Sequence, residues 1–389
     1  MVTEAGIVRI GAVAGALVLA LSAGAVHGQS ADGSVAERRG WSAAALERAF
    51  GYAQSLGTDS LMIVTDGAVV RSFGDVRKLY NVHSVRKVFL SALVGQHLGR
   101  GERQIDLDAT LEALGIDDAP GPLTPRQRQA TVLHLLKSIS AINHPAAAAG
   151  GQQRDVDARL GRAENAPGSK WAYNNWDYNA LTTIFEQQTG RTIADAFATG
   201  IAQRIGLEDF SPGAVSYIHE PELSRHRAAM FRMSARDLAR FGQLYLAKGE
   251  WRGQRVLPEG WADRITRDCT PTGERGLLAG HGYLWWIPGP ETGLPAGSFF
   301  ALGLGFQAII VVPAWRTVIV HQANTGPFLA RLAALMREQG LAFDAAFEKL
   351  VLHCRAPANA ASDFCRQDRF ILKREFERLV SLIAAARAP

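Results

Sequence analysis

From Val85 to Leu98 the chain is apolar on almost every face a helix could present. Val85, Val88, Phe89 and Ala92 form one stripe, and Leu90, Leu93, Val94 and Leu98 form another. A helix that is apolar nearly all round lies between other elements, so the fold must place layers on more than one side of this segment. Gly99 and Gly101 supply the stop. Its start is chemically loaded. Ser84 precedes Lys87 by three positions, and residues three apart share a helix face, so a hydroxyl and an amine meet in the first turn. The free N–H groups and positive dipole end of a helix N-terminus also favour developing negative charge there.

The flanking sequence says what those layers are. Leu61–Phe73 reads as two short strands joined by Asp66-Gly67, a strong hairpin signal. Between Leu107 and Ala262 the text is mostly helical, with periodic runs at Thr131–Lys137, Asp177–Gly190, Ile193–Ile205 and Ser234–Lys248. Strand character returns at Tyr283–Ile287, Phe299–Leu302, Ala308–Val312 and Thr317–His321, before a helix from Pro327 to Glu338. Strands at both ends of the chain and helices between them predict an α/β (α+β) protein. In it an antiparallel sheet is flanked by helices and carries a mainly helical second lobe. The expected division is a main domain over 41–338 and a helical C-terminal extension over 341–389.

Of 389 residues, 47% are hydrophobic and 20% charged, which excludes disordered and fibrous classes. The net charge of +5 comes from 42 basic and 37 acidic residues without a basic block interleaved with aromatics, so no nucleic-acid partner is expected. Residues 1–28 are read as a secretory signal: Arg9, an apolar run from Ile10 to Val26, and small residues near Gly28. A periplasmic or secreted protein is the expectation, touching a membrane only through that segment if it is uncleaved. In such a compartment Cys354 and Cys365 could pair and leave Cys269 free, or all three could stay thiols. Neither the cysteines nor the histidines have the spacing of a metal site, and no cofactor motif is present in the sequence.

Two more stretches bear on chemistry. Pro167-Gly168 opens a turn into a loop where Tyr173 and Asn175 stand as Tyr-x-Asn before the helix near Asp177. Gly303-Leu304-Gly305-Phe306 lies between two late strands, where glycine lets backbone approach a ligand and the Phe306 N–H could face a carbonyl oxygen. Trp171, Trp176, Trp285 and Trp286 are candidates either for a substrate pocket or for the core.

The ordered set of Ser84-x-x-Lys87 after a hairpin, Tyr173-x-Asn175 in a loop and a glycine-bearing strand segment resembles the serine β-lactamase and penicillin-binding-protein superfamily. The nearest likeness is to its class C, esterase and nylon-oligomer-hydrolase branch. The resemblance implies Ser84 as acylated nucleophile, Lys87 as base, Tyr173 as phenolic acid/base, and Asn175 orienting Lys87 or a substrate amide. The Ser84 and Phe306 N–H groups would form the oxyanion hole beside Gly303 and Gly305. Because a phenol serves as a base at neutral pH only beside an ammonium, Lys87 and Tyr173 are expected to titrate as a coupled pair. The chain departs from the family where Lys-Thr-Gly or His-Thr-Gly gives way to Gly303-Leu304-Gly305. That removes the cation and hydroxyl that meet a substrate carboxylate. The expected activity is therefore hydrolysis of a small ester or amide, without a cofactor. A weak β-lactamase or D-alanyl-D-alanine peptidase and a non-catalytic binding protein are the alternatives.

Overall fold

A computed structural model describes residues 33–161, 164–359, 362–367 and 370–387. The expected signal segment, 1–28, lies outside the described residues. Eight strands form the main antiparallel sheet. Its spatial order is Ala68–Gly74, Ser60–Thr65, Thr317–Gln322, Gln307–Val312, Phe299–Gly303, Trp285–Ile287, Gly280–Gly282 and Thr270–Pro271. The first hairpin turns at Asp66-Gly67, both at positive φ, as a two-residue primed turn requires. Ser60–Thr65 then pairs with Thr317–Gln322, residue 60 opposite 322, so the sheet joins the two ends of the chain. The three central strands, Ser60–Thr65, Gln307–Val312 and Thr317–Gln322, are buried at every position. Their near-continuous Val and Ile content follows from being covered on both faces.

One face carries the helix Ala235–Leu246 and, beyond it, the helix Arg86–Gln96, which has ten buried residues out of eleven. Phe89 is its pivot, with ring centroids 4.8–5.0 Å from Phe197, Phe231 and Phe241. The other face carries the helices Ala43–Ser55 and Lys373–Ala385, packed together.

Three expectations change. The segment read as a strand from Tyr283 to Ile287 is a strand only from Trp285, because Tyr283 and Leu284 take positive φ to turn the hairpin from Gly280–Gly282. The block read as helical contains the strands Val215–Ile218 and Ala228–Met233, which with Tyr80–Asn81 form a second sheet that supports the turn before Ser84. Helix Ile193–Ile205 is interrupted by a π turn over Ala198–Ala202. In the C-terminal stretch an insertion stands between the last sheet strand and helix Lys373–Ala385. Phe376, Leu379, Val380 and Ile383 belong to the main core, whereas helices Gly326–Gln339 and Phe343–Arg355 form a small core of their own around Phe328, Leu332, Ala346 and Leu350. A disulfide joins Cys354 to Cys365 within that insertion, and Cys269 is free.

Candidate active site

The turn that carries Ser84 is built before the helix starts. Val82 N–H donates 3.0 Å to Phe231 O of the second sheet, and Val85 N–H donates 3.1 Å to Val82 O, closing a 3₁₀ turn over His83–Val85. His83 sits at φ 47°, an uncommon conformation for a non-glycine residue that presents the next residue at the head of the helix. Its Nε2 lies 2.7 Å from Thr325 Oγ1, which ties the turn to the segment following the last sheet strand. The helix proper then runs from Arg86, so Ser84 lies just ahead of it rather than in its first turn.

Lys87 Nζ lies 2.8 Å from Ser84 Oγ and 2.5 Å from Tyr173 OH. Tyr173 stands 86 positions beyond Lys87, yet the three side chains form one chain of polar atoms. Lys87 is 2% exposed and Tyr173 9% exposed, and the amine also lies over the rings of Tyr173 and Tyr178, 4.2 and 4.5 Å from their centroids. Ser84 itself is only half-buried and faces the cavity.

Burial decides the charge state. Desolvation first, and the adjacent Arg86 guanidinium second, hold Lys87 well below the usual lysine range. Arg86 is buried and bonded to Asn179 Oδ1 at 3.1 Å; desolvation lowers it to about 10, which leaves it charged at neutral pH. Two adjacent cations are held poorly in this apolar setting, and of the two it is Lys87 that burial drives further toward its neutral form. Desolvation raises Tyr173 to about 12, against the lowering effects of Ser84 and Arg86. The two shifts run in opposite senses and both favour the uncharged partners, the amine of Lys87 and the phenol of Tyr173.

Other sequence candidates fall differently. Asn175 does not reach Lys87; its Nδ2 donates to Ala148 O (3.2 Å) and Gln152 Oε1 (2.6 Å), and its Oδ1 is buried in the cavity wall without a hydrogen-bond partner. Gly303 packs directly beneath the Ser84 turn, against Val82 O and His83 Cβ, and Gly303, Gly305 and Phe306 line the same cavity as Ser84. The Phe306 peptide is fixed from behind. Its carbonyl can only accept, so His321 Nδ1–H donates to it at 2.7 Å, and His321 Nε2 accepts from Thr58 Oγ1 at 2.8 Å. Burial lowers His321 to about 4, which keeps that tautomer neutral. Trp286 stacks on Tyr173 with centroids 5.1 Å apart and lines the cavity with Trp171. Trp176 and Trp285 are fully buried, and neither lines the cavity; Trp176 Nε1 instead donates to Asp118 Oδ2 at 2.6 Å.

The cavity encloses about 710 Å³. Its charged side chains other than Arg86 are paired with one another: Arg154 with Asp344 at 3.3 Å, and Arg159 with Asp155 at 3.0 Å and Glu274 at 2.6 Å. Arg86 and the aromatic wall of Phe343, Phe347 and Phe370 were not legible in the sequence. An arginine in an otherwise apolar helix gives no local sign of facing a cavity, and the phenylalanines stand far along the chain from Ser84.

The Beta-lactamase family model matches residues 43–341. The chain belongs to the β-lactamase family. It is a family of hydrolases within the serine β-lactamase and penicillin-binding-protein superfamily, and the mixed antiparallel architecture described above is its fold. An uncharacterised protein of Alkalihalophilus pseudofirmus is 23% identical over 267 residues, 63% of this chain and 74% of that protein. Among solved structures, the fold is similar to a candidate 6-aminohexanoate-dimer hydrolase from Bacillus anthracis (TM-score 0.53, 23% identity, covering 77% of this chain and 81% of that one). It is also similar to the octameric penicillin-binding protein homologue from Pyrococcus abyssi (TM-score 0.52, 18% identity, 80% and 81%). A D-stereospecific amidohydrolase from Streptomyces aligns with a TM-score of 0.50 at 17% identity, over 72% of this chain and 94% of that one.

Proposed function

We propose that this family member is an exported serine hydrolase that cleaves a small uncharged ester or amide through an acyl-enzyme on Ser84. The observation that carries the reading is the continuous contact Ser84 Oγ–Lys87 Nζ–Tyr173 OH, with the amine buried and its pKa pushed down by that burial. A neutral amine has the lone pair needed to take the Ser84 proton as Oγ bonds to the substrate carbonyl carbon. The developing oxyanion is met by N–H groups of Ser84 and of the Gly303–Phe306 turn. Lys87 then passes a proton to the Tyr173 oxygen while Tyr173 delivers its own to the leaving oxygen or nitrogen, and the scissile bond breaks. Water attacks the acyl carbon, its proton returns through the same pair, and Ser84 leaves protonated.

The ion pairing in the cavity supports an uncharged substrate. Arg154 and Arg159 are already matched by carboxylates, the Gly303-Leu304-Gly305 segment supplies no cation, and Arg86 is buried and bonded to Asn179. A substrate carboxylate would be desolvated there with poor compensation. The free Asn175 Oδ1 suits an N–H on the substrate, in keeping with the amide-cleaving names of two structural neighbours. Export rests on the sequence of residues 1–28 and is checked by the N-terminus of the protein recovered from cell fractions.

Intact-mass spectrometry after exposure to a fluorophosphonate, and separately to a penicillin, tests the chemistry. One fluorophosphonate adduct, lost in Ser84→Ala, is expected, with little or no penicilloyl adduct. A folded protein that takes neither label would move the assignment to a non-catalytic binding protein.

A further inference from the structure

The wall opposite the catalytic groups comes from outside the strand-and-helix frame. Phe343 and Phe347 stand on one face of helix Phe343–Arg355, and Phe370 follows the disulfide-closed loop. All three line the cavity that contains Ser84. Their rings are fixed by the insertion's own core: Phe347 lies 4.8 Å from Phe370, and buried Phe328 lies 5.4 Å from Phe347 and 5.1 Å from Phe370.

The insertion is also seated against the catalytic frame. A Cβ placed on Gly150 would lie 3.6 Å from the Phe343 ring, and one on Gly151 would lie 3.2 Å from that ring and clash with Asp344. Asp344 in turn pairs with Arg154. The loop so contacted, Ala148–Gln152, is the one whose Ala148 O and Gln152 Oε1 hold Asn175. Half-buried phenylalanine rings, continuous with the nucleophile's cavity and flanked by the paired charges Arg154–Asp344 and Arg159–Glu274, form a surface that gains by being covered with apolar atoms.

We infer that the helical insertion is the substrate-selecting wall of the site, and that the substrate is an uncharged ester or amide whose aliphatic or aromatic portion packs on Phe343, Phe347 and Phe370. The inference rests on the Ser84 hydrolase reading. Each methylene seated on such a wall is worth up to about fourfold in kcat/KM.

The test compares p-nitrophenyl acetate with p-nitrophenyl hexanoate on the full chain, its Phe347→Ala and Phe370→Ala variants, and the milder Phe347→Leu and Phe370→Leu variants, with fluorophosphonate labelling throughout. The wild type should favour hexanoate in kcat/KM by about tenfold or more. Each alanine variant should lose most of that preference, read as the hexanoate-to-acetate ratio of kcat/KM. Should an alanine variant fail to fold, the leucine variants carry the comparison, and an intermediate preference is expected. An unlabelled wild type that cleaves neither ester overturns the hydrolase reading and this inference together. A labelled wild type indifferent to chain length, or folded variants with an unchanged hexanoate-to-acetate ratio, overturns this inference alone.

Discussion

Replacing Gly303 by alanine would test the packing beneath the nucleophile. Gly303 has φ −126° and ψ 164°, a conformation open to alanine, so the substitution carries no backbone penalty and isolates sterics. The added methyl would fall inside 3.0 Å of Val82 O, and 3.2 and 3.3 Å from Gln307 Cβ and His83 Cβ. Val82 O is the carbonyl that accepts from Val85 N–H and closes the turn bearing Ser84. Neither side has a flexible side-chain tip to move, so the strand and the turn must separate by a fraction of an ångström up to about 1 Å. Overpacking of this kind costs about 1–3 kcal/mol, which in a domain this large lowers Tm by only a few degrees. The catalytic cost should be larger, because misplacement of reacting groups by about 1 Å can cost on the order of 10²-fold. The expected result is a folded Gly303→Ala protein, slightly less heat-stable, whose kcat/KM for p-nitrophenyl acetate and rate of fluorophosphonate labelling both fall about 10²-fold. Wild-type rates in that variant would refute the claim that this contact sets the position of Ser84 against the oxyanion donors.

Two further predictions concern protons. Because burial and Arg86 depress Lys87 while Tyr173 is raised to about 12, the labelling rate should rise as Lys87 loses its proton at a pH well below the ordinary lysine value of about 10.4, and then stay level into the alkaline range. Arg86→Met removes the neighbouring positive charge, so Lys87 should hold its proton to higher pH and the rising limb should move to the alkaline side; a limb unmoved in the variant would rule Arg86 out of this role. His83, His226 and His321 are lowered to about 4 and His281 to about 3 by burial. The unfolded chain therefore binds protons near pH 6.5 that the folded chain refuses. Their stabilising contribution is complete above pH 6.5 and is lost as pH falls toward 4, at about 1.4 kcal/mol per pH unit for each proton of difference. Thermal melts should show Tm falling steeply over that window, and a flat Tm would show that these rings are hydrated.

What the sequence made legible follows from where local pattern and tertiary need agree. The hairpin at Asp66-Gly67, the apolar helix after Ser84 and the late strands carry periodicity that burial on both faces enforces, and they stand where the spacing places them. The strand Ala228–Met233 was not distinguished, since its Ala-Ala-Met-Phe text suits a helix as well; pairing with Tyr80–Asn81 and Val215–Ile218 overrides that local preference. Tyr283-Leu284 has no turn residue at all, and only the close pairing of Gly282 with Trp285 obliges two side-chain-bearing residues into positive φ. Ser84, Lys87 and Tyr173 could be brought together on paper by motif order. Their protonation could not, because it depends on a burial that spacing does not encode.

The insertion shows the same limit from the other direction. The sequence shows only a helical extension there, and in the structure Phe328, Phe347 and Phe370 pack together. A core so small cannot cover both sides of those rings. The uncovered side of Phe343, Phe347 and Phe370 faces the Ser84 cavity, while the following helix, Lys373–Ala385, returns the chain to the main core and lays Phe376 against Phe306 with ring centroids 4.8 Å apart. One continuous segment therefore braces the glycine turn beside the nucleophile at its far end and walls the cavity in its middle. A change in how the insertion packs is felt at both the reacting carbonyl and the apolar part of the substrate.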